Sequence, residues 1–320
     1  MKFRLGYVAM AINLEDCSPS GTVTVKALNS LPNNDLRMNK LRRVAKKNIH
    51  NTLRILRYNL DYNIKVYRFT SKLIPLATHP LLSDWNYIED FKEELKEIGD
   101  FVKKNDFRVS AHPDHYTIIN SKSEDVIKNS IKDLDYHVKL FEAMGLEDYK
   151  YKLVLHIGGL YKNKKESIDR FKENFLKLPD RIRKRIILEN DDKLYSAADV
   201  LQICNDLNVP MVIDIHHHNC RSDGEKLEDL LPLIFNTWNS EVFNPKVHFS
   251  SPRSLNEFRS HADDIDLEEF RNFLDIAKKL ERDFDVMLEA KNKNIALINL
   301  SNKLGTLEGI KKINESEFIY

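Results

Sequence analysis

Six short apolar segments of this sequence each end in a single histidine, aspartate or glutamate. They are Arg108–His112, Lys152–His156, Ile186–Glu189, Met211–Asp214, Lys246–His248 and Asp285–Glu289. Their composition predicts buried strands of three to five residues that stop at the polar residue. Unpartnered imidazoles and carboxylates are costly to bury. Six such endings are therefore better explained by convergence on one site than by six separate loop starts.

The polar residues of these endings form a set of nitrogen and oxygen ligands without a thiolate. With two further histidines near strand ends, the candidate ligands are His112, His156, Glu189, Asp214, His217, His248, His261 and Glu289. Such a set suits Zn²⁺, Mn²⁺ or Fe²⁺. Because one ion cannot use eight ligands, we expect two or three divalent cations. Their surplus positive charge would favour hydrolysis of a phosphodiester. A metal-free site would need only two or three of these residues.

Other polar residues near the strand ends leave alternatives open. Lys246 lies two residues before His248, so both point to the same side of their strand. Next to cations its ammonium would be unfavourable. We therefore expect a catalytic Lys246 that contacts a substrate phosphate, is neutral, or carries a carbamate. In the run His216–His218 we expect only His217 to be a ligand, and His79 is an additional candidate. His50 and His137 fall in helical stretches and are expected to pack or to face solvent.

The elements around these strands predict a single (β/α)₈ TIM barrel with its metal site at the C-terminal ends of the strands. Lys2–Tyr7 and Lys65–Phe69 raise the number of strands to eight. Amphipathic stretches between the strands predict helices, which cover residues 39–61, 87–104, 123–144, 164–178, 196–207, 226–238, 266–280 and 292–304. We expect one barrel domain over residues 1–305 and a C-terminal tail over residues 306–320.

Composition restricts the class of protein. The hydrophobic content of 42% can supply a large core, and no run approaches the roughly 18 apolar residues of a membrane span. The three cysteines form no CxxC pair, and the N-terminus is unlike a signal peptide, so we expect a cytoplasmic protein. With a net charge of +1 there is no overall basic field. The basic run Arg37–Lys47 is typical of a solvated helix face.

The ordered motifs of the chain resemble the UV damage endonucleases, TIM-barrel DNA repair enzymes related to the endonuclease IV class. The matching segments are Leu5–Tyr7, Leu56–Asn59, Tyr67–Ser71 with Pro75 and His79, Ala111–Asp114, Leu155–His156 with Gly158–Gly159, Leu188–Asp192, Asp214–His218, Lys246–Ser251, His261–Asp263 and Leu288–Lys291. Each motif alone is weak, but the full set in this order is specific and extends over almost the whole chain.

The resemblance implies that the protein uses divalent metals to cleave double-stranded DNA at the phosphodiester bond 5′ to a UV photoproduct. Cyclobutane dimers and 6-4 products are the expected lesions, with abasic sites as a further substrate. Mn²⁺ is the expected metal, and Zn²⁺, Mg²⁺ or Co²⁺ are the alternatives. By matching motifs, the ligands divide into three sets: His112 and His156 with a bridging Glu189; Asp214, His248 and Glu289; and His217 with His261.

The same resemblance assigns substrate contacts. Tyr7, Arg68 and the pair His115–Tyr116 would contact the distorted duplex. The pair departs from the family pattern, which has glutamine followed by an aromatic residue. We expect a monomer. The alternatives are a metal-dependent sugar isomerase or epimerase on the same barrel, which would need a closed pocket, and a non-catalytic protein that binds damaged DNA.

Overall fold

All eight strands expected from the apolar segments are present in the computed structural model, which describes residues 1–320. They are β1 Lys2–Val8, β2 Val66–Arg68, β3 Arg108–Ser110, β4 Leu153–His156, β5 Ile186–Glu189, β6 Met211–Asp214, β7 Lys246–Phe249 and β8 Phe284–Leu288. Their bounds differ from the expected ones by at most two residues. All eight are parallel to their barrel neighbours.

Twelve α-helices connect or follow the strands. They are α1 Val25–Asn29, α2 Asn34–Asp61, α3 Tyr87–Asp90, α4 Lys92–Lys104, α5 Glu124–Ala143, α6 Lys164–Leu176, α7 Asp180–Arg183, α8 Ala197–Leu207, α9 Ile215–Cys220, α10 Leu227–Asn236, α11 Leu267–Lys278 and α12 Lys293–Leu304. Helix α2 begins earlier than expected because the Asn33 side chain caps it by accepting from the Leu36 amide. The stretch expected as one helix over 87–104 is interrupted at Phe91.

The strands form a TIM barrel, as expected from the sequence. Their order is β3-β2-β1-β8-β7-β6-β5-β4. A parallel bridge between Ala111 and Leu153 joins the two ends of this order. Residues 306–320, expected as a tail, contain β9 Lys311–Lys312 and β10 Glu317–Ile319. Strand β10 pairs antiparallel with β1 and buries Phe318 completely.

Two groups of polar side chains interrupt the apolar core and belong to successive levels of the barrel strands. The upper layer, at the C-terminal ends, consists of His112, His156, Glu189, Asp214, His248 and Glu289. The lower layer, nearer the N-terminal ends, consists of Arg4, Arg108, Lys246 and Asp285. Asp285 is the register partner of both Arg4 and Lys246. The main apolar core is a cluster of 75 buried residues, and two small clusters of 4 and 3 buried residues are separate from it.

Three expectations from composition have direct structural counterparts. Cys17, Cys204 and Cys220 are all free thiols. No helix combines the length and apolar character required to cross a membrane. In the basic run on α2, Arg42 pairs with Asp90, Lys46 with Glu94 and Lys47 with Asp16. These ion pairs are consistent with a solvated helix face.

Candidate metal centre

Glu189 stands at the centre of the upper layer and is shared by two groups of ligands. One group contains His112, His156 and Glu189, and the other contains Glu189, Asp214, His248 and Glu289; in each, the ligand atoms lie within 4.8 Å of one another. Oε2 of Glu189 lies 3.1 Å from His112 Nε2 and 3.4 Å from His156 Nε2. Its Oε1 lies 2.6 Å from His248 Nδ1. The two oxygens of one carboxylate thus face different groups, as a bridging ligand requires.

Backbone carbonyls orient three of the candidate histidines. The Nδ1 atoms of His112, His217 and His261 lie 2.8, 3.0 and 2.9 Å from carbonyl oxygens of Pro113, Asn190 and Glu289. If Nδ1 donates to the carbonyl, the lone pair is on Nε2, which is then free to bind a cation. Metal-ligating histidines are commonly fixed in this way by a carbonyl at the other ring nitrogen.

The electrostatics of the upper layer favour cations. Burial raises the pKa of Glu189, but the imidazoles of His248, His156 and His112 outweigh that effect and hold it well below its usual value. Burial also raises the pKa of Glu289, but the charges of Arg68 and His248 outweigh this effect and lower the pKa overall. The buried Oδ2 of Asp214 has no hydrogen-bond partner. The low pKa values of Glu189 and Glu289 and the unpartnered oxygen of Asp214 fit a site for divalent cations, which would supply positive charge to these buried carboxylates.

His217 and His261, the proposed third set, lie next to the first group. The His217 ring is 5.9 Å from that of His156 and 6.2 Å from that of His261, measured between centroids. Burial lowers the pKa of His217, but the carboxylates of Asp214, Glu189 and Glu289 more than compensate and raise it to about 9. The carboxylates that raise this pKa would equally attract a metal cation, which would displace the proton from the ring.

The remaining histidines occupy other environments. His216 and His218 are buried in the short helix α9, where His216 Nε2 lies 3.7 Å from Cys220 Sγ. His79 accepts from the Leu81 amide as the cap of a 3₁₀ turn and belongs to neither ligand group. Burial lowers the pKa of His137 to about 4, and His50 is exposed on α2. These last two have the packing and surface positions expected for them.

Lys246 points into the barrel with His248, but it lies beneath the upper layer. It is 2% exposed, and its Nζ donates to Ser110 Oγ at 3.1 Å. In this position the side chain contacts Ser110 and not the open face of the barrel, so its contact with a substrate phosphate stays a prediction. Burial, with the charges of Arg108 and Arg68, lowers the pKa of Lys246 well below its ordinary value.

The structure corrects the role of Tyr7. Its ring is fully buried within β1, and its hydroxyl donates to Asn59 Oδ1 at 2.5 Å. Tyr7 therefore cannot stack on a base, because strand alternation turns it towards the helices rather than the open face. Arg68 is 13% exposed and donates to Glu289 Oε1 at 2.5 Å. This contact links the expected substrate-binding arginine to the upper layer.

His115 and Tyr116 stand at the open face beyond β3. Tyr116 is 56% exposed, and the two rings pack edge to face with centroids 5.8 Å apart. The loop is anchored behind them, since Thr117 Oγ1 donates to Asp133 Oδ2 at 2.5 Å. Ser71 Oγ also donates to Asp114 Oδ1 at 2.9 Å. Two flat rings thus project from a fixed base next to the ligand His112.

Sequence reasoning missed two residues of this face. Asn190 is completely buried, and its side chain bonds to both the amide and the carbonyl of Asp214, which fixes that ligand against β5. The only indication of this role in the sequence was that Asn190 directly follows the candidate ligand Glu189. Leu255, in the polar loop after β7, is 91% exposed. Its signal in the sequence was a leucine flanked on both sides by polar residues, Ser254 and Asn256.

Comparison with known proteins decides the family. The family model described as UV-endonuclease UvdE matches residues 3–320. The chain belongs to this family. A UV DNA damage endonuclease of Bacillus cereus (strain B4264) is 44% identical over 314 residues, which cover 98% of each chain. The expected family is therefore confirmed.

Solved structures add information about the fold. The structure titled "Crystal Structure of SacUVDE" has 35% sequence identity and a TM-score of 0.83, and the match covers 95% of this chain and all of that one. The apo form of 3-keto-D-glucoside 4-epimerase, YcjR, from E. coli has 13% identity and a TM-score of 0.52, and the match covers 90% of this chain and 92% of that one. At that identity it shows the shared barrel alone, so the fold by itself does not separate an endonuclease from a sugar epimerase.

Proposed function

We propose that this protein is a UV DNA damage endonuclease that cleaves the phosphodiester bond 5′ to UV photoproducts in double-stranded DNA. Its membership of the UvdE family over residues 3–320 supports this proposal. The observation that carries the chemistry is Glu189, whose two oxygens face two separate ligand groups. Cyclobutane dimers and 6-4 products are the proposed lesions, and abasic sites are a further substrate. We propose a monomer that acts on DNA in the cytoplasm.

The proposed cofactor is a cluster of two or three divalent cations, with Mn²⁺ as the expected metal and Zn²⁺, Mg²⁺ or Co²⁺ as alternatives. His112 and His156 would hold one ion and Asp214, His248 and Glu289 a second, with Glu189 between them. His217 and His261 would hold the third. Bound there, the cations would neutralise the phosphodiester and lower the pKa of an attacking water. The unpartnered Asp214 Oδ2 and the three histidines oriented by backbone carbonyls support this fit.

The protein's own residues would prepare the site for this chemistry. Glu189 is buried and ionised, so it can bridge cations without first losing a proton. The Arg68 guanidinium holds Glu289 in place and would face the substrate once a cation binds that carboxylate. Lys246 lies enclosed below His248, and its contact with a substrate phosphate stays a prediction.

His115 and Tyr116 would recognise the distortion of the duplex. Flat exposed rings can stack on unpaired bases, at about 1–3 kcal/mol per base. We expect Tyr116→Ala to weaken binding to a damaged duplex far more than to an undamaged one. Tyr149→Ala is the matched control, because Tyr149 is 40% exposed but precedes β4 at the other end of the barrel. Equal losses on both duplexes would remove Tyr116 from lesion recognition.

One incubation tests the proposed function as a whole. The protein is mixed with Mn²⁺ and an end-labelled duplex that carries a single cyclobutane dimer, and the products are sized on a sequencing gel. We expect one nick immediately 5′ to the dimer, which a chelator abolishes. Binding without cleavage would favour a non-catalytic damage-binding protein. Absence of both binding and cleavage would contradict the proposal.

A further inference from the structure

Leu255 is the most exposed large apolar side chain of the protein, at 91%. It lies in the loop between β7 and α11, which opens at the C-terminal face of the barrel, where the metal centre lies. Exposing a leucine costs free energy that burial against a partner would recover. Neither the fold nor the metal centre uses this side chain, so it is available to a partner that meets this face of the barrel.

The loop that carries Leu255 is held in a defined shape. Pro252 and His261 form an antiparallel bridge, and the Arg253 amide donates to the Ser260 carbonyl at 2.7 Å. The Glu257 amide donates to Ser254 Oγ at 3.1 Å. These contacts close the loop into a narrow hairpin with Leu255 near its tip.

The same loop is attached to the metal centre at its base. His261, which closes the hairpin by its bridge to Pro252, lies with Nδ1 2.9 Å from the Glu289 carbonyl oxygen. The Phe258 ring lies 5.9 Å from the ring of His216 on α9. The tip is therefore positioned relative to the ligands and does not depend on a flexible linker.

Strand order places this hairpin opposite the ring pair His115–Tyr116. In the closed order, β7 is four positions from β3, which is half of an eight-stranded barrel. The rings of His112 and His248, one from each side, approach to 6.5 Å across the barrel. Tyr116 and Leu255 therefore stand on opposite sides of the metal centre, and a substrate long enough to cross the centre would meet both.

We propose that Leu255 is a second duplex-contacting residue, which inserts against the bases on the side of the scissile bond opposite Tyr116. This inference rests on the proposed function, because a DNA duplex is the occupant that spans both tips. Proteins that distort DNA insert apolar side chains such as leucine between base steps. A damaged step costs less to open than an intact one.

The charges next to the tip suit the same occupant. Arg253 and Arg259 are 52% and 54% exposed, and their ion pairs with Glu257 and Asp192 measure 3.2 and 3.7 Å. Exposed pairs of this kind are weak and can exchange a carboxylate for a phosphate. The hairpin thus combines an apolar tip with two cations that can reach a DNA backbone.

The test compares Leu255→Ala with a matched control, Val242→Ala. Val242 is 74% exposed, but it lies in the loop before β7, at the opposite end of the barrel. Binding of a fluorescent duplex with a single cyclobutane dimer is measured by anisotropy in chelator, and incision is measured with Mn²⁺. We expect Leu255→Ala to weaken binding roughly tenfold or more and to raise KM more than it lowers kcat, and Val242→Ala to match the wild type. Leu255→Met should restore most of the affinity.

The outcomes separate this inference from the function on which it rests. If the wild type incises the duplex but Leu255→Ala binds and cleaves like Val242→Ala, the role of Leu255 is refuted and the function stands. If the wild type neither binds nor incises, both are refuted. Because Leu255 packs against nothing, a loss of affinity at unchanged thermal stability and metal content can be assigned to the lost DNA contact.

Discussion

The two polar layers inside the barrel share strands β3, β7 and β8 but differ in how their polar atoms are partnered. In the lower layer, Asp285 accepts from Arg4 at 2.6 and 2.7 Å and from Arg108 at 2.5 Å. Arg108 also donates to a backbone carbonyl and lies over the rings of Trp238 and Phe243. No buried side-chain nitrogen or oxygen of this layer lacks a hydrogen-bond partner within the protein.

In the upper layer, by contrast, several buried polar atoms have no hydrogen-bond partner. Glu189, Asp214 and Glu289 converge there with imidazoles whose ring nitrogens are partly unpartnered. Two of its histidines, His112 and His156, are 19% and 27% exposed, so the layer opens to solvent. A buried polar cluster therefore marks a functional site when some of its polar atoms lack partners that a ligand could supply, and a structural one when the protein supplies every partner.

The largest expected effect is in the upper layer. Glu189→Gln removes the charge that both ligand groups share, and we expect incision to fall by at least roughly a thousandfold while the fold remains. Single-turnover cleavage of the dimer duplex measures this, with circular dichroism as the control for folding. Activity within tenfold of the wild type would remove Glu189 from the centre.

The lower layer should respond in stability instead. Asp285→Asn leaves Arg4 and Arg108 without their buried counter-charge, and breaking such a pair costs about 3–5 kcal/mol. Urea unfolding should show this loss in the free energy of unfolding. Lys2→Ala, which removes only the half-exposed ion pair with Glu317, serves as the control and should change stability little. Equal stability of Asp285→Asn and the control would show that the lower layer does not stabilise the fold.

Lys246 belongs to the lower layer and lies directly below His248 on β7, at the boundary between the two layers. We expect Lys246→Met to lower incision by roughly tenfold, far less than Glu189→Gln, because its hydrogen bond goes to Ser110 and not to a proposed ligand. Reactivation of degassed wild-type protein by bicarbonate would show a carbamate and move Lys246 into the upper layer. Full activity of Lys246→Met at unchanged metal content would leave it a purely structural residue.

The smallest effect concerns the pH dependence of the metal-free protein. The pKa of His217 is raised to about 9 by the carboxylates around it. Its protonated form therefore stabilises the chelated protein fully below pH 6.5, and this contribution is lost as the pH rises through about 9. Thermal melts in chelator should show a steeper decline over that range for the wild type than for His217→Asn. Parallel curves would mean that the carboxylates of the upper layer do not stabilise the protonated form of His217.

The sequence predicted the barrel and most of the upper layer because both depend on local patterns. An apolar run that ends in one polar residue shows where a strand stops and which side chain faces its open end, as at Glu189 and Asp214. Burial depends on neighbours from distant segments, which a local pattern does not contain. The enclosure of Tyr7 by Asn59 and the depth of Lys246 beneath the ligands could therefore not be predicted.

The most direct test of the contrast between the layers is the metal content of three proteins. Wild type, Glu189→Gln and Asp285→Asn are loaded with Mn²⁺, desalted and analysed for bound metal per chain. We expect two or three ions in the wild type, fewer in Glu189→Gln, and the wild-type number in folded Asp285→Asn. One ion or none in the wild type, or the same loss in both variants, would contradict it.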